Sequence, residues 1–237
     1  MKFKIAAPVV LVLIFSLCIF WARSSIGLDL IVSSHNYINF QANYQILLLV
    51  ITGISLATTY YLNKANFLEF FSFGDISAPA TEMKLFGTKE GDSWLDAGLS
   101  LCLVISSVTA IFMFFQLKQV DVDWSLLPSI SLWIILFALT NSIGEEVIFR
   151  LGVVSPLKGL LAPKTIFLIS ALLFGIPHYF GMPSGIIGAV MAGVLGYVMA
   201  KSVYETKGIF WAWAIHFLQD VIIIGPLFLI SASQNTN

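Results

Sequence analysis

Long apolar runs separated by short polar stretches occupy most of the chain. A helix needs about 20 predominantly apolar residues to cross the hydrocarbon core of a bilayer, and most of the runs have about this length. The pattern therefore predicts an all-α protein, a polytopic membrane bundle of about seven transmembrane helices. The predicted spans are residues 5–22, 44–62, 97–117, 126–151, 164–176 or 164–179, 186–203 and 208–230.

Composition supports this class. Hydrophobic residues make up 58% of the 237 residues and charged residues 11%, whereas soluble domains average about 25% charged residues. The net charge of −1 excludes a nucleic-acid partner, because there is no excess of basic residues to neutralise phosphates. Cys18 and Cys102 lie inside apolar runs without a metal-binding or redox spacing, so we expect both to be hydrophobic residues of membrane helices.

The first run has two possible interpretations. It follows a basic start and ends near Ala22, Arg23 and Ser24, which resembles the cleavage site of a signal peptide. The run is long for a signal peptide, and Phe20 and Trp21 are bulky beside the cleavage point. We therefore favour an uncleaved anchor over removal of residues 1–23.

The basic residues are distributed unevenly between the two sides that the spans define. With a cytoplasmic N-terminus, the cytoplasmic segments carry nine lysines, and the opposite side carries only Arg23 and Lys118. Cytoplasmic loops of membrane proteins are enriched in Lys and Arg, so we expect the N-terminus on the cytoplasmic side. The nine are Lys2, Lys4, Lys64, Lys84, Lys89, Lys158, Lys164, Lys201 and Lys207.

Small residues recur in the sixth run, where Gly188, Gly193 and Gly196 are interleaved with alanines. Small residues let the backbones of membrane helices approach closely. We expect this helix to lie at the centre of the bundle.

Acidic, basic and histidine residues lie within the fourth, fifth and seventh runs. Placing a charge at the centre of a membrane helix costs about 2.5–3.5 kcal/mol on insertion scales, so such residues indicate function by default. They form three short signatures, which are Glu145-Glu146-x-x-x-Arg150, Phe174-x-x-x-His178 and His216-x-x-x-Asp220.

The two glutamates have different expected partners. Residues four apart share one face of a helix, so Glu146 pairs with Arg150. Glu145 projects elsewhere without a local cation, and Asn141, one turn earlier, can hold it by a hydrogen bond. The alternative is that both acids are structural and fix helix packing through Arg150.

The two histidines lie in apolar segments. His178 follows Pro177, which tends to end or kink a helix, and Phe174 is expected to pack beside its imidazole. His216 and Asp220 share a face of the seventh span, where the aspartate can orient the imidazole. The alternative for each is a hydrogen-bonded core residue without chemistry.

A carboxylate without an ion-pair partner can act as a general base toward water, and a nearby histidine can share this role or protonate a leaving amine. A second imidazole can stabilise an oxyanion. The sequence has no serine nucleophile elbow, phosphate-binding loop or His-Glu-x-x-His motif. Hydrolysis of an amide by water fits these residues best.

The three signatures together resemble the CAAX prenyl protease type II family, also called the CPBP family (CAAX proteases and bacteriocin-processing enzymes). The resemblance implies an intramembrane endopeptidase with a helical-bundle fold. It implies that Glu145 and His178 activate the hydrolytic water and that His216 and Asp220 stabilise the oxyanion. Glu146 and Arg150 would support the site. Residues 126–231 would form the catalytic core, and residues 1–125 N-terminal spans with a cytoplasmic loop.

Two features bear on the mechanism and the origin. Prenyl-processing members have asparagine where this chain has Asp220, which can accept but not donate a hydrogen bond when ionised. The cofactor requirement is left open. Glutamate-dependent catalysis needs no cofactor, whereas a divalent metal such as zinc would be held by Glu145, His178 and His216 with one position open for water.

The Asp220 variant and the short N-terminal half favour the bacterial members and the inner (plasma) membrane.

The expected partners are a peptide or protein substrate presented at the membrane and the lipid bilayer itself. The substrate would be a CAAX-type prenyl peptide or a bacteriocin or surface-protein precursor. An ion-coupled transporter is one alternative, since buried acids and histidines also form proton relays. A non-catalytic membrane scaffold or immunity protein is the other.

Overall fold

The computed structural model describes residues 2–25 and 30–234. The helices are α1 (Lys2–Ser25), α2 (Asn36–Leu62), α3 (Lys64–Phe70), α4 (Trp94–Leu117), α5 (Leu127–Glu146), α6 (Gly152–Leu157), α7 (Pro163–Gly175), α8 (Gly185–Thr206) and α9 (Phe210–Gln234). Short 3-10 turns cover Lys84–Phe86, Trp124–Leu126 and Ile176–Phe180, and a π-helical turn covers Val147–Leu151. In the described part of the chain β-structure is limited to three isolated bridges. The prediction of an all-α protein is confirmed.

Within the residues that the structure describes, seven helical segments are long and apolar enough to cross a membrane. A continuous helix satisfies its own backbone hydrogen bonds, which lipid cannot do. The predicted number of spans is confirmed, and the chain is an integral membrane protein. The segments are Lys2–Arg23, Asn36–Leu62, Trp94–Leu117, Trp124–Leu157, Pro163–Phe180, Gly185–Thr206 and Phe210–Ala232.

Helix α2 begins at Asn36, about two turns before the predicted start at residue 44. Its first turns carry amide side chains that bond to the segment before the helix. Asn39 accepts hydrogen bonds from two backbone N–H groups there, each at 2.9 Å, and Asn43 bonds both backbone groups of Leu30. These polar residues lower the local hydropathy, so the apolar pattern placed the start too late.

The fourth span differs from the single helix predicted over residues 126–151. Helix α5 ends at Glu146, the π turn Val147–Leu151 follows, and α6 continues to Leu157. All residues of the π turn are buried. Such turns are rare and occur frequently at functional sites. The apolar pattern cannot reveal this turn, because Val147–Leu151 is apolar apart from Arg150.

Helix α8 lies between α7 and α9, and 50% of its most apolar stretch is buried, the largest share among the seven spans. Its contact with α7 is made almost backbone to backbone. A Cβ atom on Gly175 would lie 2.7 Å from the carbonyl oxygen of Ala189 and 2.9 Å from Cα of Gly193. The expected central position of this helix is confirmed.

The N-terminal helices pack into the same core as the rest of the bundle. Val12 of α1 and Leu48 of α2 belong to one hydrophobic cluster with Ile148 and Phe174. The functional division between residues 1–125 and 126–231 stays a prediction.

The close packing of α7 on α8 predicts a strict requirement for glycine. Gly175→Ala should destabilise the protein by about 1–3 kcal/mol, because the atoms that the new methyl group meets belong to the backbone and cannot rotate away. Gly53→Ala is the matched control, since nothing lies within 4 Å of its Cβ position. Thermal unfolding in lipid measures both. Equal melting temperatures for the two variants would contradict the packing described.

Candidate active site

The three polar signatures meet inside the bundle. Helix α5 packs along α9, and the π turn and the end of α7 lie against the same region. Every predicted site residue contacts at least one other member of the set. The residues are Asn141, Glu145, Glu146, Arg150, Phe174, His178, His216 and Asp220.

Glu146 lies at the centre of this cluster and is 0% exposed. Its Oε2 lies 3.0 Å from Nε of Arg150, the ion pair expected from the sequence. Its other oxygen, Oε1, lies 2.7 Å from Nδ1 of His216 on α9. Because a carboxylate only accepts hydrogen bonds, Nδ1 of His216 is the donor. One carboxylate thus joins the π turn to α9.

Arg150 is also 0% exposed. The carbon at the centre of its guanidinium lies 3.9 Å from the ring centroid of Phe174, a cation–π contact. Its Nη2 lies 3.5 Å from Sδ of Met199. Arg150 therefore extends the contacts of Glu146 to α7 and α8.

His216 is oriented by Glu146, and not by Asp220 as expected from their spacing. Nε2 of His216 lies 3.7 Å from Oδ2 of Asp220, which is too long for a hydrogen bond. The same Nε2 lies 3.7 Å from Oε2 of Glu145. Spacing within α9 placed Asp220 on the correct face, but the partner of Nδ1 comes from another helix.

Asn141 connects the remaining two carboxylates. Its Nδ2 donates to Oδ2 of Asp220 at 3.1 Å and lies 3.5 Å from Oε1 of Glu145. The expected contact with Glu145 is the longer of the two.

His178 lies in the 3-10 turn Ile176–Phe180, which contains Pro177. Its Nδ1 is 2.7 Å from the carbonyl oxygen of Phe174. The centroids of the Phe174 and His178 rings are 4.3 Å apart, so Phe174 packs beside the imidazole as expected. Since a carbonyl oxygen accepts, Nδ1 carries the hydrogen. Nε2 of a neutral His178 is then a hydrogen-bond acceptor.

Two cavities meet at His178. One, of about 360 Å³, lies between α4, α8 and α9, and His178, His216 and Asp220 line it together with mainly apolar side chains. The other, of about 210 Å³, is lined by Glu145, His178 and residues of α1 and α2. The histidine is thus accessible from both sides.

The proposed metal ligands are not arranged as a metal site. Within the described residues, no three His, Cys, Asp or Glu side chains are grouped so that they could hold an ion. Nδ1 of His216 and Nδ1 of His178 are both bonded to protein oxygens.

Two hydroxyl side chains of α4 bond to Gln219 on α9, a contact not predicted from the sequence. Oε1 of Gln219 accepts from the hydroxyl of Thr109 at 2.5 Å, and its Nε2 donates to Ser106 at 3.1 Å. Gln219 lines the larger cavity beside Asp220. The signal was the group of hydroxyl residues Ser106, Ser107 and Thr109 within a mostly apolar span.

The fold and this cluster define a class of protein: a polytopic helical membrane protein that holds acidic, basic and imidazole side chains inside its bundle. Residues 127–222 match the model of the family described as type II CAAX prenyl endopeptidase, Rce1-like. That stretch contains all eight predicted site residues. Comparison with curated proteins and with solved structures gives no match. The resemblance is confirmed over the matched stretch, and the family implies a membrane protease.

The buried ion pair yields a stability prediction. Arg150→Met should destabilise the protein by about 3–5 kcal/mol, because Glu146 would be left buried without its cation. Lys84→Met is the control, since Lys84 lies 3.9 Å from Glu82 at an exposed site and such pairs contribute little. Unfolding in lipid measures both. An Arg150→Met variant as stable as the control would contradict a structural role for the pair.

Proposed function

We propose that this chain is an intramembrane endopeptidase in which Glu145 and His178 activate a water molecule. The position of the Glu145 carboxylate carries the proposal. Its Oε2 is buried and has no hydrogen-bond partner within the described residues, and it lies 3.7 Å from Nε2 of His216. Glu145 and His178 line the same cavity. A carboxylate in this setting can take a proton from water.

In the proposed reaction, Glu145 removes a proton from water as the water oxygen bonds to the carbonyl carbon of the substrate. Nε2 of His178 accepts a hydrogen bond from that water. His216, protonated on both nitrogens, donates from Nε2 to the carbonyl oxygen as negative charge develops there. The proton held by Glu145 passes to the amide nitrogen, directly or through His178, as the C–N bond breaks. One water is consumed, and an acid and an amine are released.

Glu146 and Arg150 act as positioning residues in this proposal. Glu146 holds Nδ1 of His216 at 2.7 Å, which leaves Nε2 directed toward the other two carboxylates. With His216 protonated, two cations face the three carboxylates of the cluster. This balance reduces the cost of burying so many charges.

The larger cavity is the proposed substrate site. Val104 and Val108 on α4 and Val190 on α8 line it and are about half exposed, at 52%, 49% and 58%. The cavity therefore extends from the histidines to the outer surface of the bundle. A peptide held near the membrane can reach the histidines between these two helices without crossing the bundle.

The proposed substrates are membrane-presented peptides, either CAAX-type prenyl peptides or precursors of bacteriocins or surface proteins. The positive-inside distribution supports a cytoplasmic N-terminus. Asp220, which stands where prenyl-processing members have asparagine, supports a place among the bacterial members and in the inner membrane. If the cell does not prenylate proteins, the substrate is an unmodified peptide.

Cleavage of quenched peptides, prenylated and unmodified, by purified protein in lipid tests the proposal. Glu145→Ala should lower kcat by about 10²–10⁴-fold, since it removes the general base. Glu90→Ala, which removes an exposed loop glutamate, should leave kcat unchanged. Full activity in a strong chelator is expected, because the proposal uses side chains alone.

Three results would contradict the proposal. Cleavage by folded Glu145→Ala at the wild-type rate would exclude Glu145 as the base. Loss of wild-type cleavage in the presence of chelator would favour catalysis by a divalent metal. A pH-dependent ion flux that is lost in Glu145→Gln, with no peptide cleaved, would favour an ion-coupled transporter.

A further inference from the structure

An amide hydrolase needs hydrogen-bond donors where the carbonyl oxygen becomes negative. On α9, His216 offers one donor at Nε2. Asp220 lies 3.7 Å from that nitrogen, but an ionised carboxylate offers only acceptors. This inference rests on the function proposed above. If the chain hydrolyses amides, a second hydrogen-bond donor for the carbonyl oxygen must come from another element.

Asn141 on α5 has the required chemistry and position. Its Nδ2 lies 3.1 Å from Oδ2 of Asp220, the same oxygen that lies 3.7 Å from Nε2 of His216. Both nitrogens therefore lie near the same carboxylate oxygen, which places the amide of Asn141 close to the imidazole of His216. The amide is neutral and carries two N–H groups, so it can bond to Asp220 and still have one to offer.

The second N–H group of Asn141 is held only weakly. Its nearest described acceptor is Oε1 of Glu145 at 3.5 Å, at the limit of a hydrogen bond. A substrate oxygen can replace this contact at little cost. Glu145 would also lose its negative charge in the same step, because it takes the proton from water, and its attraction for the amide would then weaken.

We propose that Asn141 and His216 together form the oxyanion site, and that Asp220 orients Asn141. As water bonds to the carbonyl carbon, Nε2–H of His216 and the second Nδ2–H of Asn141 donate to the carbonyl oxygen. Asp220 accepts from the first Nδ2–H throughout. Asn141 is thus a catalytic residue, and Asp220 is a positioning residue.

The central experiment exchanges the amide and the acid. Asn141→Asp, which keeps the side-chain shape, should lower kcat by about 10²–10³-fold, the effect of removing one oxyanion donor. KM should stay within about threefold, because the donor acts on the transition state. The double variant, Asp220→Asn with Asn141→Asp, again places one amide in contact with one acid. Its kcat should be at least about tenfold higher than that of Asn141→Asp alone.

Two controls keep the test informative. Thr140→Val changes the neighbouring residue, whose hydroxyl bonds to Gln45 and not to the site, and should keep the wild-type kcat. Asn141→Ala removes the donor without adding a charge and should lose kcat to a similar extent. Melting temperatures in lipid identify variants that are folded.

Either of two results would overturn the proposal. One is a folded Asn141→Ala or Asn141→Asp with kcat within threefold of wild type. The other is an exchanged variant no more active than Asn141→Asp. If instead wild type cleaves no peptide, or Glu145→Ala keeps full activity, the proposed function itself fails. The two failures are therefore distinguishable.

Discussion

The Glu146 carboxylate contacts Arg150 and His216 at the same time, and the rest of the site depends on these two contacts. A carboxylate that is 0% exposed is tolerated inside a membrane protein only if its charge is compensated. Arg150 supplies a cation at one carboxylate oxygen, and His216 donates a hydrogen bond to the other. Because Arg150 also contacts Phe174 and Met199, one carboxylate fixes the relative positions of the π turn, α7, α8 and α9.

The neighbouring glutamate is left with a different environment. Successive residues of a helix point about 100° apart, so the backbone that directs Glu146 toward Arg150 directs Glu145 toward the smaller cavity. Its polar contacts are the amide of Asn141 at 3.5 Å and the imidazole of His216 at 3.7 Å. The structure thus separates two adjacent acids, one bound tightly by the fold and one with an oxygen that no described donor satisfies. This separation is the physical basis of the proposed catalysis.

Features that depend on local spacing could be predicted from the sequence. The seven spans, the pairing of Glu146 with Arg150 and the packing of Phe174 on His178 all follow from hydropathy or helical periodicity. Features that depend on how helices pack could not. The bond from Glu146 to His216 joins residues 70 positions apart, and the contact of Asn141 with Asp220 joins residues 79 positions apart. The π turn lies in an apolar segment without a distinguishing pattern.

The most direct test of the account compares Glu145→Gln with Glu146→Gln, measuring the melting temperature and the peptide-cleavage rate of each in the same lipid. Both changes are isosteric and remove one negative charge. If Glu145 is the base and Glu146 holds the fold together, Glu145→Gln keeps the wild-type melting temperature and loses cleavage, whereas Glu146→Gln melts at a clearly lower temperature. A Glu146→Gln variant that is as stable and as active as wild type would contradict these roles, as would a Glu145→Gln variant that still cleaves at the wild-type rate.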